Sequence, residues 1–167
     1  MSNTKNRRVI LYMAISVDGF IAGQDSETPW SEEEWVAFQE FVKSCDYCIM
    51  GSTTYDIMRK DNSFVPDTNF LVATNNPDKD TGGYKKIVIK SADDLPDGEK
   101  IGIIGGGNLN GSIADLGLID EVNLDIEPII LGSGIRLFGD HAPKLNLKLQ
   151  SSKKIGSGTI QNHYIVL

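Results

Sequence analysis

Three segments of the chain carry residue types from which a ligand site could be built. In Ile101-Gly102-Ile103-Ile104-Gly105-Gly106-Gly107-Asn108-Leu109 a buried apolar run ends in three glycines and opens at once into a helix-like stretch. Glycines let a ligand approach the backbone, and the free N–H groups of a first helical turn favour an anion. That turn carries no Asp or Glu to complement its dipole. A phosphate or pyrophosphate would take that role, and a plain strand-to-helix turn is the alternative. The spacing is neither G-x-G-x-x-G nor that of a Lys-Ser/Thr P-loop. Gly51-Ser52-Thr53-Thr54-Tyr55 repeats the theme, with hydroxyls of Ser52 and Thr53 that could cap a helix or meet a phosphate. Ligands bind outside the carboxyl ends of strands in open α/β sheets, so one extended ligand can touch both turns. Ser16-Val17-Asp18-Gly19 follows the first apolar run. Asp18 is either a turn former or a carboxylate placed to hold substrate or aid a proton transfer.

The elements that must position these residues read as follows. Val9–Ile15, Tyr47–Met50, Phe70–Ala73, Ile87–Ile89 and Ile101–Ile104 are short and apolar at successive positions, as strands covered on both faces are. Val122, Leu124 and Ile126 alternate with Asn123 and Asp125, and Leu145, Leu147 and Leu149 with Asn146 and Lys148. With Ile160 to Leu167, these predict antiparallel strands having one wetter face. Ser31 and Glu34 have capping-box spacing, and Trp30 and Trp35 flank them as a hydrophobic staple would. Trp35, Phe38 and Val42 then carry that helix to about Lys43. A second helix is expected from near Thr53 to before Asp61. A third follows the glycines, with Leu109, Ile113 and Leu116 on one face and Gly117 as its stop. Asp18–Trp30 and Leu131–Lys144 are the long loops.

The chain has 167 residues, a net charge of −7 and 40% apolar residues, an ordinary globular composition for one domain. We expect a flexible lead over residues 1–7 and a single domain over 8–167. The acidic balance disfavours nucleic acid. No apolar run approaches the length of a membrane span, and the segment after Arg8 reads as a strand rather than a secretion signal. The cytoplasm is the expected compartment. Cys45 and Cys48 close a helix and open a strand, unlike a redox C-x-x-C. Neither His141 nor His163 has partners at metal spacing, so no metal is expected.

Taken in order, Ser16–Ala22, Ile49–Tyr55, Ile104–Leu109, Gly117-Leu118-Ile119-Asp120-Glu121-Val122 and Pro128–Phe138 resemble one family. The chain is similar, from about Arg8 to Leu167, to dihydrofolate reductase-like proteins of the riboflavin-pathway reductase type, the C-terminal domain of bifunctional deaminase-reductases. The resemblance implies a three-layer α/β/α fold with a mixed, mostly parallel sheet of about eight strands, antiparallel at its C-terminal end. It implies hydride transfer from NADPH, or NADH, to a small pterin- or pyrimidine-like heterocycle. The activity would be akin to dihydrofolate reductase or to 5-amino-6-(5-phosphoribosylamino)uracil reductase. A homodimer is also implied. By position, Gly51, Ser52, Thr53, Thr74, Asn75, Gly105, Gly106, Gly107, Asn108 and Leu109 would bind the cofactor. Asp18 would be catalytic, and Asp18, Trp30 and Glu34 would meet substrate. Pro29-Trp30 is similar to the pair that precedes the substrate-facing helix of true dihydrofolate reductases. There a carboxylate on the helix protonates the pterin; the comparable slot is near Trp35, with Glu34 adjacent. Ser52 and Asn75 stand where many relatives carry arginine, so only modest discrimination between NADPH and NADH is expected. The alternative is a nucleotide-binding module of this fold without catalysis.

Overall fold

A computed structural model describes residues 6–167. The lead expected over residues 1–7 lies mostly outside them; Arg7 lies within, its Nη2 donating to the Ala92 carbonyl at 2.7 Å. In chain order the strands are β1 Arg8–Ser16, β2 Phe20–Ala22, β3 Tyr47–Gly51, β4 Phe70–Ala73, β5 Lys85–Ile87, β6 Lys100–Ile103, β7 Glu121–Glu127, β8 Ile135–Arg136, β9 Leu147–Ile155 and β10 Thr159–Val166. The helices are α1 Glu32–Lys43, α2 Ser52–Asp61 and α3 Gly107–Asp115.

Eight strands form one sheet in the order β5-β4-β3-β6-β1-β7-β10-β9. Pairing is parallel from β5 to β7 and antiparallel from β7 through β10 to β9. Strand alternation splits the core into two sides. Ile10, Tyr12, Cys48, Met50 and Val72 pack against Phe41 and Val42 of α1 and Tyr55 and Met58 of α2. Val9, Leu11, Ile49, Ile101 and Ile103 pack against Ile113 and Ala114 of α3 on the other side. This is the α/β/α architecture expected. Gly102 shows why a strand residue lacks a side chain: a Cβ there would lie 2.9 Å from Phe41 Cε1 and crowd both cysteine sulfurs.

Several expectations shift. The strand expected at Ile87–Ile89 is β5, Lys85–Ile87, because its ladder follows β4 from Leu71 to Ala73. Leu116 caps α3 at its C-terminus and is 41% exposed rather than core, since the chain turns away at Gly117, φ +66°. Leu145 packs on the α3 side but precedes β9, an edge strand that is exposed almost throughout. The polar face expected to be wet on β7 is buried at Asp125 and Glu127, because the start of α1 lies over it.

The two long loops are joined to each other. β2 and β8 pair antiparallel, Phe20 opposite Arg136 and Ala22 opposite Ile135. Loop backbone is thereby held at the carboxyl edge of the parallel strands, where β1, β3 and β6 all end.

Candidate active site

The carboxyl edge opens into a cleft of about 760 Å³, within the size range of cofactor and small-molecule sites. One end of it is built from backbone. The β3–β6 ladder continues past the strands: Ile104 N donates to Ile49 O at 3.0 Å and Gly51 N to Gly105 O at 2.7 Å. The two glycine turns therefore stand side by side, so that a Cβ on Gly51 would lie 3.6 Å from Gly106 N. Gly105 has φ +102°, a conformation that other residues rarely adopt. The Gly105–Gly106 peptide is cis.

Each turn leads into a helix without a side-chain cap. Gly51 is the N-cap of α2 and Gly106 that of α3; neither helix has a side-chain cap hydrogen bond or an acidic residue in its first turn. The hydroxyls of Ser52 and Thr53 are thus left for other partners. Two bare helix N-termini aimed at one cleft form a cradle for an anion, by dipole and by free N–H groups together. All ten residues expected at the cofactor line this cleft, Thr74 and Asn75 from the end of β4 included. Among the described residues no Lys, Arg or His lines it. Arg59 of α2 is paired with Asp80 at 2.8 Å, and Lys79 with Asp56 at 2.5 Å.

The other end is built from side chains. Trp30, Trp35 and Phe38 line it, with Tyr12 and Glu34; Trp35 stacks on Phe38, centroids 5.3 Å apart. Ser31 caps α1 by accepting from Glu34 N at 3.2 Å, but the capping box is only half formed. The Ser31 amide donates instead to Glu127 Oε2 at 3.1 Å. This releases the Glu34 carboxyl, which no described residue reaches with a donor and which lines the cleft while Glu34 is only 5% exposed. Burial, with Asp125 and Glu127 nearby, pushes the Glu34 carboxyl up to about 8. It is therefore held mostly protonated at neutral pH, as a general acid must be.

Asp18 stands elsewhere. It is not among the cleft-lining residues. Its carboxylate accepts from Ser16 Oγ at 2.7 Å, Leu131 N at 3.1 Å and Gly132 N at 2.7 Å. The Ser16 hydroxyl, then these amides, hold it below the usual carboxylate range. These bonds clamp the β1–β2 turn to the loop before β8. Of the three residues expected at substrate, Trp30 and Glu34 line the cleft and Asp18 does not.

Tyr12, Asp125 and Glu127 were not found by motif. Tyr12 donates its hydroxyl to Asp125 across the sheet. Their only sequence signal is Asp125 and Glu127 at alternate positions in a strand, which reads equally as a wet face.

Among the described residues no cluster of three or more His, Cys, Asp or Glu is arranged to hold a metal, and no helix is long and apolar enough to cross a membrane. Cys45 and Cys48 are free and lie against the end of α1, where their thiols point at the Phe41 and Val42 carbonyls.

Residues 88–161 match the RibD C-terminal domain. The chain is 29% identical over 182 residues to the uncharacterized protein YyaP of Bacillus subtilis (strain 168), covering 98% of this chain and 97% of that protein. A candidate riboflavin biosynthesis protein of Shewanella sp. PV-4 superposes with TM-score 0.80 at 23% identity, over 96% of this chain and 99% of that one. The dihydrofolate reductase of Enterococcus faecalis, solved with NADP(H), superposes with TM-score 0.74 at 16% identity, over 97% of both chains.

Proposed function

The chain has a dihydrofolate reductase-like fold with a RibD C-terminal domain match, and we propose that it is a nicotinamide dinucleotide-dependent reductase of a small nitrogen heterocycle. The observation that carries this reading is one cleft with two ends: two uncapped helix N-termini at the first, and a buried carboxyl that has no donor among the described residues at the second. The residues present fit a dinucleotide. The amides at the starts of α2 and α3 would hold its pyrophosphate, Ser52 and Thr53 would add hydroxyls, and Thr74 and Asn75 would meet the adenosine side. When bound, the nicotinamide supplies a hydride; that chemistry belongs to the cofactor.

The chain's own part is binding, orientation and a proton. Trp30, Trp35 and Phe38 offer aromatic surface to a planar ring. Glu34 would give its proton to a ring nitrogen: the Glu34 O–H bond breaks, an N–H bond forms, and the electron pair stays on the carboxylate. The proton is then regained from water. Since no cation lines the cleft among the described residues, NADPH and NADH should bind with similar affinity. The wider reading takes the chain as a cytoplasmic homodimer.

The test has two readouts. Titration of NADPH and NADH, followed by intrinsic fluorescence, should give saturable binding of both. Oxidation of the bound dinucleotide should then be found within a panel of pterins and aminopyrimidines. Binding without turnover on any acceptor would favour the non-catalytic module, and absence of binding would remove both readings.

A further inference from the structure

Beside Glu34 lie two more buried carboxylates that the reading above does not use. Asp125 and Glu127 alternate on β7 and so share one face, with exposures of 0% and 3%. Each has donors of its own. Asp125 accepts from the Tyr12 hydroxyl and from Gln161 Nε2, the latter at 2.9 Å. Glu127 accepts from Ser31 N at 3.1 Å, Ser31 Oγ at 3.0 Å and Thr159 Oγ1 at 2.7 Å. The Glu34 carboxyl, arriving from α1, has none among the described residues.

Like charges in a low-dielectric site disfavour joint ionisation, and hydrogen bonds stabilise the ionised member that receives them. Negative charge therefore settles on the carboxylates with donors, and the proton on the one without. Burial raises the Asp125 carboxyl and Glu127 adds to this, while the hydrogen bonds from Tyr12 and Gln161, and then Lys153, favour its ionised form. Tyr12 stays a neutral donor, since burial and then Asp125 hold its hydroxyl far above its usual range, with Glu34 and Glu40 adding to this. Glu34 itself feels burial first, then Asp125, then Glu127.

We propose that Asp125 and Glu127 are positioning residues: they keep the proton on the Glu34 carboxyl, so that Glu34 faces the cleft as a donor. The inference rests on the reading of Glu34 as the acid of the site. It extends that reading from one residue to a circuit joining α1, β1, β7 and β10, in which Tyr12 and Gln161 serve one arm and Ser31 and Thr159 the other.

The test is infrared titration of the full chain between pH 5 and 10, following the carboxyl C=O band that Glu34→Gln removes. In Asp125→Asn the midpoint of that band should fall by at least one pH unit, a tenfold loss of proton affinity. Tyr12 can still donate to the Asn carbonyl, and Gln161 can turn its amide to accept. Glu127→Gln, which the rotatable hydroxyls of Ser31 and Thr159 can accommodate, should shift it in the same direction, and serves alone if Asp125→Asn does not fold. An unmoved midpoint in either folded variant overturns the proposal, because a merely structural role would change melting without moving the titration. The readout needs no turnover. A shifted midpoint in a chain that reduces nothing keeps the circuit and rejects the reductase reading; turnover with an unmoved midpoint does the reverse.

Discussion

The cleft has two ends made of different material. At the glycine end the chemistry is carried by backbone: amides at the starts of α2 and α3, brought together by the parallel β3–β6 ladder. At the carboxyl end it is carried by buried and half-buried side chains of β1, β7, β10 and the start of α1, joined by hydrogen bonds. A backbone site tolerates much variation in side chains but little in backbone approach. A side-chain site is the opposite: it survives small shifts of chain and fails when a single proton or donor is lost. The two ends should therefore come apart under mutation, one losing affinity and the other losing turnover.

The largest separation is expected from Glu34→Gln. Removing a positioned general acid should lower kcat by about 10²-fold or more, while the dissociation constant for the dinucleotide stays within twofold of wild type. Loss of cofactor affinity in this variant would mean that the ends are not independent. Gly106→Val should do the converse. A Cβ at this position meets only Thr54 Oγ1, at 3.4 Å, and φ is −82°, so the fold should survive with an unchanged melting profile. A β-branched side chain in front of the amides should weaken dinucleotide binding by about tenfold or more, roughly 1.4 kcal/mol. Calorimetry on the folded variant decides this, and normal affinity would reduce the glycine turn to punctuation.

A smaller effect concerns pH. The Glu34 carboxyl is raised in the folded chain to about 8 from its ordinary 4.5, so the native state binds more protons than the unfolded state between these values. Its stabilising contribution is fully present below pH 4.5 and is lost as pH rises through 8, with a slope of at most roughly 1.4 kcal/mol per pH unit. Denaturant midpoints measured from pH 5 to 8 should fall more steeply in wild type than in Glu34→Gln. Equal slopes would show that Glu34 titrates normally. Smaller still is the choice of cofactor. A charged hydrogen bond to the 2′-phosphate would be worth roughly 1.5–3 kcal/mol, and among the described residues no cation lines the cleft to make one, so affinities for NADPH and NADH should differ by less than about tenfold. A thousandfold preference would require a basic residue such as Arg59 or Lys79 to leave its ion pair. The smallest effect is expected from Asp18→Asn, where turnover should stay near normal and only the clamp on Leu131 and Gly132 loosen, seen as a modest fall in melting temperature. A hundredfold loss of turnover there would return the acid to Asp18.

How far each end could be read from sequence follows from the same contrast. The glycine end is local: Gly51-Ser52-Thr53 and Gly105-Gly106-Gly107 each lie at the end of one apolar run, and the runs at Tyr47–Met50 and Phe70–Ala73 fall within or on β3 and β4. The fold was legible for that reason, as was α1 to Lys43. The carboxyl end is not local. The Ser31–Glu34 spacing predicts a closed capping box, and nothing nearby indicates that Glu127, far along the chain, takes the Ser31 amide instead. Asp125 and Glu127 look like a wet strand face until α1 is laid over them. For Asp18 the partners are equally non-local: its place after β1 points to the carboxyl edge, and the amides of Leu131 and Gly132 that it accepts from come from a distant loop.

On the proposed reading one dinucleotide spans the bare starts of α2 and α3 with its reactive end toward Glu34. A crystal structure of the chain soaked with NADPH, and in parallel with NADH, tests it most directly. Pyrophosphate density is expected against the amides at Ser52–Thr53 and Gly106–Asn108, with the nicotinamide between those turns and Trp30. Density for the dinucleotide elsewhere on the protein, or clear solvent at both turns at saturating concentration, would contradict it.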